Sequence, residues 1–501
     1  MKTRKLSVDK VRSSKMAIIV LSFCASMAIA SPAQTFKTLV DFDNSNGAYP
    51  NGSLVQGFDG KLYGTTFAGG VHKEGTVFNI GARGMLNKLY SFCPENSCTA
   101  GAGPAAGLLQ AADGILYGTT SAGGAYCAST GGCGTIFKIS HEGRPTTLYS
   151  FCAQANCADG AYPQEQLLQA SDGNFYGTTA EGGANNDGTV FKITAGGKLT
   201  TIHSFDGADG AFPYAGPMQA TNGDLYGTTG YGGTYSHGTV FRITLRGKLT
   251  TLYNFCYQGD CPDGDQPLGN LVPATDGNIY GTTYYGGATY YGGAYCTSSY
   301  GGCGTVFKIT PRGKLTTLYS FCTQNKCSDG ANPAAGLVQA TDGNFYGTTS
   351  NGGAYNNGTV FKISPAGTLT TMHSFDFTDG AYLIRGLFQG TSGNFYGTTT
   401  YGGTSRKCAM NCGTVFSLAV GLGPFVETLP TSGKVGTTVI ILGTNLTGAT
   451  DVTFNGTASQ FAVVSKSEIR TIVPADATTG NVEVKTSRRT LKSNVIFRVV
   501  K

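Results

Sequence analysis

The sequence predicts an all-β protein: a seven-bladed β-propeller closed by its own N-terminal strand, followed by an immunoglobulin-like β-sandwich. Tyr-Gly-Thr-Thr occurs seven times, beginning at Tyr63, Tyr117, Tyr176, Tyr226, Tyr280, Tyr346 and Tyr396. Each copy is followed by Gly-Thr-(Val/Ile)-Phe, beginning at Gly75, Gly134, Gly188, Gly238, Gly304, Gly358 and Gly413. The chain also holds 76 glycines among its 501 residues. A turn-rich repeat of about 50 residues is typical of propeller blades.

The repeat at residues 163–205 divides into four short antiparallel strands, named A to D. Residues 166–170 form strand A, and the Asp172-Gly173 turn connects it to strand B at 175–179. Strand B is rich in aromatic and β-branched residues, and strand C (188–194) alternates its side chains between two faces. A second tight turn leads to strand D at 199–205. A right-handed solenoid is the alternative, but solenoid coils favour parallel strands and shorter repeats.

The order of strands at the two ends predicts how the propeller closes. A D-like strand at 36–42 precedes the first strand A, and the repeats end with a strand C at 413–419 that no strand D follows. We expect the N-terminal strand to complete the last sheet, which leaves no open sheet edge between the ends. The propeller is assigned to residues 35–420.

Residues 1–30 are typical of a secretory signal peptide. Six basic residues and Asp9 precede an apolar run at 16–30 that ends in Ala28-Ile29-Ala30. A membrane anchor is the alternative, but this run is short for a span of about 20 residues. The segment carries +5 of the total +6, so the remaining chain is nearly neutral and offers no basic surface for nucleic acid. We expect a secreted monomer, extracellular or at the cell surface, without a transmembrane segment in its mature form.

Cysteine spacing indicates the same compartment. Apart from Cys24, the cysteines fall into seven close pairs: Cys93/Cys98, Cys127/Cys133, Cys152/Cys157, Cys256/Cys261, Cys296/Cys303, Cys322/Cys327 and Cys408/Cys412. An even number in an exported chain predicts local disulfides. Zinc binding is the alternative, but zinc sites bring two close pairs together at regular spacing, and these spacings vary with no histidine beside them.

The tandem units resemble the GloVer-type repeats of secreted bacterial proteins over about residues 36–419. The resemblance rests on Asp-Gly-Asn-Phe-Tyr-Gly-Thr-Thr at 172–179 and 342–349, on the Gly-Gly pair that follows, and on Gly-Thr-Val-Phe-Lys-Ile. It implies export and tandem repetition, and it implies no established chemistry.

Residues 423–501 break the repeat and resemble an IPT/TIG domain, a small immunoglobulin-like sandwich. The resemblance rests on Leu429-Pro430-Thr431-Ser432-Gly433, on the run at 436–446 and on Val452-Thr453-Phe454-Asn455-Gly456. Alternating apolar residues at short spacing fit such a sandwich independently. The resemblance implies a spacer or an adhesion module.

Functional residues are expected on one face of the propeller. In antiparallel sheets the A–B and C–D turns share one face, and the longer B–C and D–A loops share the other. All cysteine pairs lie in these loops, and loops on a rigid scaffold often carry function. The longest loop offers amphipathic rings for a glycan or protein at Tyr284, Tyr285, Tyr290, Tyr291 and Tyr295. The alternative is that these rings pack against neighbouring blades.

Five D–A loops end in Asp-Gly, at Asp159, Asp209, Asp263, Asp329 and Asp379. Because strand A should be innermost, we expect these carboxylates to ring the mouth of the channel, where they could hold calcium. The alternative is that Asp-Gly only makes a turn. No other cofactor is expected.

The sequence favours binding without catalysis. Its five histidines do not cluster, and it contains no nucleophile elbow, phosphate loop or zinc motif. We predict a secreted binding or adhesion protein that presents its elaborated, disulfide-stapled face to an extracellular glycan or protein. Two alternatives stay open: a carbohydrate-active hydrolase or lyase with channel-mouth carboxylates, and a structural component of the cell envelope or matrix.

Overall fold

The computed structural model describes residues 34–81, 84–94, 98–127, 132–288, 296 and 302–500. The predicted signal peptide, residues 1–30, lies outside the described residues. Within them the chain is all-β, as predicted, with 3-10 turns at Ala155–Cys157, Asn325–Cys327 and Leu446–Gly448 and no α-helix. No helix in these ranges has the length and apolar character needed to cross a membrane.

In the described part of the chain, residues 35–419 form seven four-stranded antiparallel sheets, numbered 1 to 7 by the chain order of their strands A. Strands A are Val55–Gln56, Leu109–Gln110, Leu168–Gln169, Met218–Gln219, Val272–Pro273, Val338–Gln339 and Phe388–Gln389. Strands B are Leu62–Thr66, Leu116–Thr120, Phe175–Thr179, Leu225–Thr229, Ile279–Thr283, Phe345–Thr349 and Phe395–Thr399. Strands C are Thr76–Ile80, Thr135–Ile139, Thr189–Ile193, Thr239–Ile243, Thr305–Ile309, Thr359–Ile363 and Thr414–Ala419. Strands D are Leu86–Ser91, Pro145–Ser150, Leu199–Ser204, Leu249–Asn254, Leu315–Ser320, Leu369–Ser374 and, for sheet 7, Thr35–Asp41.

Each sheet is hydrogen-bonded in the order A, B, C, D. Strand D of sheet 7 comes from the N-terminal part of the chain, where Thr35–Asp41 pairs antiparallel with Thr414–Ala419. This is the pairing that the strand order at the two ends predicts. Strand A of sheet 3 spans 168–169 rather than the expected 166–170, and at its end Ala170 belongs to the turn, where its N–H donates to the Asn174 carbonyl.

The Asp-Gly turn and the Tyr of Tyr-Gly-Thr-Thr form one hydrogen-bonded unit. In sheet 3, the Asp172 carboxylate accepts from the backbone N–H of Asn174 at 3.1 Å and from the hydroxyl of buried Tyr176 at 2.9 Å. Burial alone would raise the pKa of Asp172, but the bonds from Asn174 and Lys192 outweigh it and hold that pKa below its ordinary value. The same Tyr–Asp bond recurs at Asp59, Asp113, Asp276 and Asp342. The motif therefore builds the turn between strands A and B.

The Gly and the second Thr of the motif join strand B to strand C. A Cβ on Gly177 would lie 2.5 Å from Cζ of Phe191, the ring supplied by Gly-Thr-Val-Phe. The hydroxyls of Thr179 and Thr189 are 2.8 Å apart, and the equivalent Thr–Thr bond occurs in the other six sheets. Both repeated strings are thus accounted for by packing within a sheet.

The first Thr of the motif connects each sheet to the next. Its hydroxyl donates to a backbone carbonyl just ahead of the next strand A, at 2.7–3.5 Å. The pairs are Thr65 and Ala106, Thr119 and Glu165, Thr178 and Ala215, Thr228 and Gly269, Thr282 and Ala335, Thr348 and Arg385, and Thr398 and Gly52. Because the last bond runs from sheet 7 back to sheet 1, the seven sheets are connected in a circuit.

The hydrophobic core of the repeats lies between neighbouring sheets. Between sheets 3 and 4, Tyr176, Val190 and Phe205 pack with Leu225 and Phe241. Fully burying one large apolar side chain contributes about 1.5–3 kcal/mol. Each sheet therefore depends on its neighbours for much of its stability.

Residues 425–499, the C-terminal unit, contain two more four-stranded sheets. One orders Glu427–Leu429, Thr438–Leu442, Glu468–Ile472 and Phe461–Val463, and the other orders Thr457–Ala458, Ala449–Phe454, Val482–Thr486 and Thr490–Lys492. Ser432–Gly433 also pairs, in parallel, with Arg498–Val499. The two larger sheets share one core, in which Ile441 and Val439 pack with Val452, Phe454 and Val484.

The C-terminal unit lies against A–B turns of three sheets. Ser467 Oγ donates to the carbonyl of Phe58, in sheet 1, at 2.8 Å. The hydroxyls of Thr444 and of Thr391, in sheet 7, are 2.9 Å apart. The Arg498 guanidinium donates to the backbone carbonyl of residue 221, in sheet 4. The unit is therefore bonded to turns on both sides of the circuit.

Candidate ligand-binding face and channel

The loops between strands gather on one face of the seven sheets. Each D–A loop pairs with the B–C loop of the sheet it leads into, as in the bridges between Ala161 and Glu181 and between Asp265 and Tyr285. We call this side the loop face and the side of the A–B and C–D turns the turn face. The bridges tie neighbouring loops together, so the loop face is a continuous surface.

The seven predicted disulfides are confirmed, and each staples a loop of this face. They join Cys93–Cys98, Cys127–Cys133, Cys152–Cys157, Cys256–Cys261, Cys296–Cys303, Cys322–Cys327 and Cys408–Cys412. Some described cysteines lie close enough together to suggest a metal site, as Cys296, Cys303, Cys322 and Cys327 do. These sulfurs are already paired as disulfides, so they do not fit the zinc alternative.

Exposed apolar side chains concentrate on the loop face. Among the described residues of 34–419, the large hydrophobic side chains that are exposed are Phe67, Val71, Met85, Tyr126, Tyr231, Tyr235, Tyr257, Tyr355 and Met410. All except Met85 lie in B–C or D–A loops. Scattered apolar exposure is ordinary, but its restriction to one face marks that face as the one suited to contact another molecule.

Seven tyrosines, of which Tyr231 is exposed and the others are half-exposed, form an aromatic arc on the loop face. The arc consists of Tyr49, Tyr214, Tyr231, Tyr284, Tyr285, Tyr382 and Tyr401. Tyr401 lies 5.6 Å from Tyr49 and 5.5 Å from Tyr382, measured between ring centroids. Burial raises the pKa of Tyr285, and the nearby hydroxyls of Tyr284 and Tyr231 add to the effect. Residues from different sheets thus meet in one surface.

Two of the five predicted loop tyrosines belong to this arc. The rings of Tyr284 and Tyr285 are 4.6 Å apart at right angles. Burial, and then the Tyr284 hydroxyl, raises the pKa of Tyr382 above its ordinary range. Tyr284 therefore reaches from sheet 5 to the loop before strand A of sheet 7. Tyr290, Tyr291 and Tyr295 lie outside the described residues.

The five Asp-Gly carboxylates, predicted from the sequence as possible calcium ligands, each bond to a side chain of strand D. Tyr149, Tyr253 and Tyr319 of strands D donate to Asp159, Asp263 and Asp329, at 2.8–2.9 Å. His203 and His373 bond Asp209 and Asp379 in the same way, at 2.7 Å. Strand D is the strand farthest from strand A in the hydrogen-bonded order of each sheet. Among the described residues, none of these carboxylates joins a group of three or more possible metal ligands, and their role as calcium ligands stays a prediction.

A charged pair that sequence reasoning missed joins sheet 3 to sheet 7. The guanidinium of Arg385, before strand A of sheet 7, contacts the carboxylate of Glu165, before strand A of sheet 3. Arg385 Nε also donates to the carbonyl of Asn51 at 2.6 Å. Burial raises the pKa of Glu165, although Arg385 acts in the opposite direction. The pair lines a cavity of about 260 Å³, and no other charged side chain of the described residues lines it.

Comparison of equivalent repeat positions carries the signal for this pair. The carbonyls that accept the sheet-to-sheet bonds belong to residues at one repeat position, which is Gly52, Ala106, Glu165, Ala215, Gly269, Ala335 and Arg385. Five of these residues are Gly or Ala, and the two that are charged have opposite signs and contact each other. A search for charged residues at a repeat position that is otherwise occupied by Gly or Ala would have found both.

The fold and the site together define an all-β tandem-repeat protein with disulfide-stapled loops. The chain belongs to the Gloeobacter/Verrucomicrobia repeat family, which matches residues 27–131, 95–295 and 291–469. The third match extends into the C-terminal unit. No curated protein matches the sequence.

Several solved structures share a remote likeness with this chain. The extracellular domain of a protein described as a hybrid two-component system, from B. thetaiotaomicron, aligns over 91% of this chain and 57% of its own, with 11% identity and a TM-score of 0.49. A gluconolactonase from Xanthomonas campestris aligns over 79% of this chain and 92% of its own, with 13% identity and a TM-score of 0.38. The chain thus spans little more than half of the first structure, and likeness at this level supports no inference about function.

Proposed function

We propose that this chain is a secreted binding protein whose loop face binds an extracellular glycan. Residues 35–420 would form a seven-bladed propeller, because seven four-stranded sheets are linked in a circuit and strands A contact each other between sheets 1 and 2 and between sheets 4 and 5. Residues 423–501 would form an immunoglobulin-like IPT/TIG domain, because two four-stranded sheets share one core there. Disulfides are typical of an oxidising compartment, which supports export.

The aromatic arc is the observation that carries this proposal. Tyrosine rings combine an apolar face with a hydroxyl, and they contribute large contact area at low conformational cost. Around the arc, the loops are fixed by disulfides and by the bridges between D–A and B–C loops. A site that is rigid before the ligand arrives loses less entropy on binding.

A glycan fits this site better than a protein surface does. A stable protein interface buries about 800 Å² on each partner over a broad area. Here the charged pair lines a small cavity, and residues of the arc lie close to this pair in the sequence. Arg385 follows Tyr382 by three residues, and the Asn51 carbonyl that it contacts follows Tyr49 by two. Sugars present both apolar ring faces and hydroxyls, which match an aromatic rim with polar groups at its centre.

The hydrolase alternative receives less support from the channel. Glycoside hydrolysis normally uses two carboxyl groups, about 5–10 Å apart. Glu165 is the one carboxylate among the described residues that line the cavity, and its partner is a guanidinium. Binding is therefore the function that this geometry supports best.

A glycan array with matched variants tests the proposal. The variant under test replaces Tyr231, Tyr285, Tyr382 and Tyr401 by Ala, and the control replaces Tyr257 and Tyr355, which are exposed on the same face outside the arc. Loss of a stacking tyrosine typically costs about 1–3 kcal/mol. We expect the wild type and the control to bind the same glycans and the arc variant to bind at least tenfold more weakly. Equal binding by the arc variant would contradict the proposal.

A further inference from the structure

The C-terminal unit covers one end of the proposed channel. The C-terminal unit bonds to A–B turns of sheets 1, 7 and 4. In a circuit of seven sheets, sheet 4 is three steps from sheet 1 in one direction and three steps from sheet 7 in the other. The unit therefore spans the channel at the turn face. Its segment at 429–434 faces the ends of strands A at Gln110, Gln169 and Gln219.

A polymer that ran straight through the channel would meet the C-terminal unit. Phe58 packs there against Ile440 and Leu442, which are buried. The hydroxyl bond of Thr391 with Thr444 and the bond of Arg498 to sheet 4 anchor the opposite sides of the unit. The loop face is thus the side from which a ligand enters.

The space inside the channel suits a single ring. The cavity that Glu165 and Arg385 line measures about 260 Å³, whereas pockets for drug-sized ligands are about 300–1,000 Å³. Ser53 and Asn270 also line it, together with the small residues Gly269 and Gly336. Several sugar residues do not fit in this volume, so further residues of a chain would lie outside it, against the aromatic arc.

The charges in the cavity favour an uncharged ligand. Glu165 and Arg385 compensate each other, so the cavity has no excess charge to attract an acidic or basic group. A guanidinium has five N–H donors and a carboxylate has about four acceptor positions. Arg385 donates to Glu165 and to the carbonyls of Asn51 and Gln164, which leaves two of its five N–H groups to donate near the Glu165 carboxylate. Adjacent hydroxyls of a sugar, which both donate and accept, match this arrangement.

We infer that the Glu165–Arg385 cavity binds the terminal ring of a neutral saccharide chain, so that the protein recognises chain ends and not internal segments. Arg385 would donate to one hydroxyl of the terminal ring and Glu165 would accept from its neighbour. The aromatic arc would contact the residues that follow. This inference rests on the proposed glycan-binding function. It adds that the saccharide is uncharged and that the protein binds its terminal residue.

A competition experiment with saccharides of different length tests the inference. The full-length protein is titrated with cello-, laminari- and malto-oligosaccharides of two to eight residues, with the polymers of the same linkages, and with acidic oligogalacturonides. If the protein recognises chain ends, all saccharides long enough to cover the aromatic arc should reach half-saturation at the same molar concentration of chains. Recognition of internal segments predicts that it falls in proportion to chain length, and that result would overturn the inference.

A double variant provides the second arm. Glu165→Ala with Arg385→Ala removes both charges together and installs the residue that three other sheets carry at this position. The matched control removes the exposed pair of Glu483 and Lys492, whose charged atoms are 3.8 Å apart in the C-terminal unit. We expect the channel variant to bind neutral oligosaccharides at least tenfold more weakly and the control to bind normally.

The outcomes separate this inference from the proposed function. If the arc variant loses binding while the channel variant keeps it, the glycan-binding proposal stands and the chain-end inference is wrong. Selective binding of the oligogalacturonides also overturns the inference, because it requires an excess positive charge in the cavity. If no saccharide binds the wild type, both proposals fail.

Discussion

Arg385 and Glu165 contact each other across the channel although they are 220 residues apart in the sequence. The Arg385 and Glu165 side chains are 18% and 10% exposed. Because water hardly reaches either charge, each is compensated mainly by the other. Removing one partner of such a pair usually costs about 3–5 kcal/mol, whereas removing both costs much less. We expect Arg385→Ala and Glu165→Ala each to lower the free energy of unfolding by about 3 kcal/mol.

The double variant should be more stable than the sum of the single losses implies. Unfolding by guanidinium chloride gives the three free energies and hence the coupling between the two positions. A coupling near zero would mean that the two groups do not compensate each other in the folded protein.

The Tyr–Asp bond of the repeat should contribute to stability and not to binding. Tyr176 donates to the Asp172 carboxylate at 2.9 Å, whereas the equivalent Tyr226 accepts from the neutral amide of Asn222 at 3.0 Å. Hydrogen bonds to charged groups contribute about 1.5–3 kcal/mol and neutral ones about 1 kcal/mol. We expect Tyr176→Phe to destabilise the protein more than Tyr226→Phe, with glycan affinity unchanged in both. A change in affinity would place this turn, contrary to our account, at the binding site.

Sequence reasoning predicted the elements of the repeat because their signals recur in most or all of the seven copies. The Asp-Gly turn, strand B and strand C each rest on local chemistry, such as the bond of Tyr176 to Asp172. The pairing of Thr35–Asp41 with Thr414–Ala419 follows from the order of strands, which the sequence displays directly. The disulfides follow from close spacing, which leaves each cysteine one near partner.

The position of the Asp-Gly carboxylates could not be predicted in this way. Sequence order places Asp159 near strand A, but the side chain turns to the hydroxyl of Tyr149 in strand D. The direction of the Asp159 side chain depends on Tyr149, ten residues earlier. The sequence does not indicate whether the tyrosine at that position forms a hydrogen bond or only packs. The charged pair of Glu165 and Arg385 could not be predicted from the repeat, because both residues depart from the Gly or Ala found at this position in the other sheets.

Glu427 should make stability depend on pH. It lies on the first strand of the C-terminal unit, and burial raises the pKa of its carboxyl to about 7. An unfolded chain ionises a Glu near pH 4.3. Below that pH the Glu427 carboxyl is protonated in both the folded and the unfolded state. Above it the carboxyl ionises in the unfolded chain but stays protonated in the folded protein until about pH 7. The contribution of Glu427 to the free energy of unfolding is therefore fully present below about pH 4 and is lost as the pH rises from about 4 to 7.

A Gln substitution isolates this effect. We expect Glu427→Gln to have nearly the same free energy of unfolding as the wild type at pH 4.5 and to exceed it at pH 8, by on the order of 1–2 kcal/mol. Chemical denaturation at several pH values measures the difference. A wild type that gains stability relative to the variant between pH 4.5 and pH 8 would contradict the assignment.

The most direct test of the central claim is hydrogen exchange of the full-length protein with and without a saturating glycan identified on the array. Binding at the aromatic arc predicts slower amide exchange at 230–233, 284–287, 382–386 and 400–403, and unchanged exchange in the turns at 172–174 and 222–224. The backbone groups of these loops are fixed by bridges such as that between Asp265 and Tyr285, so added protection reports contact with the ligand. Protection confined to the turn face or to the C-terminal unit would contradict the account.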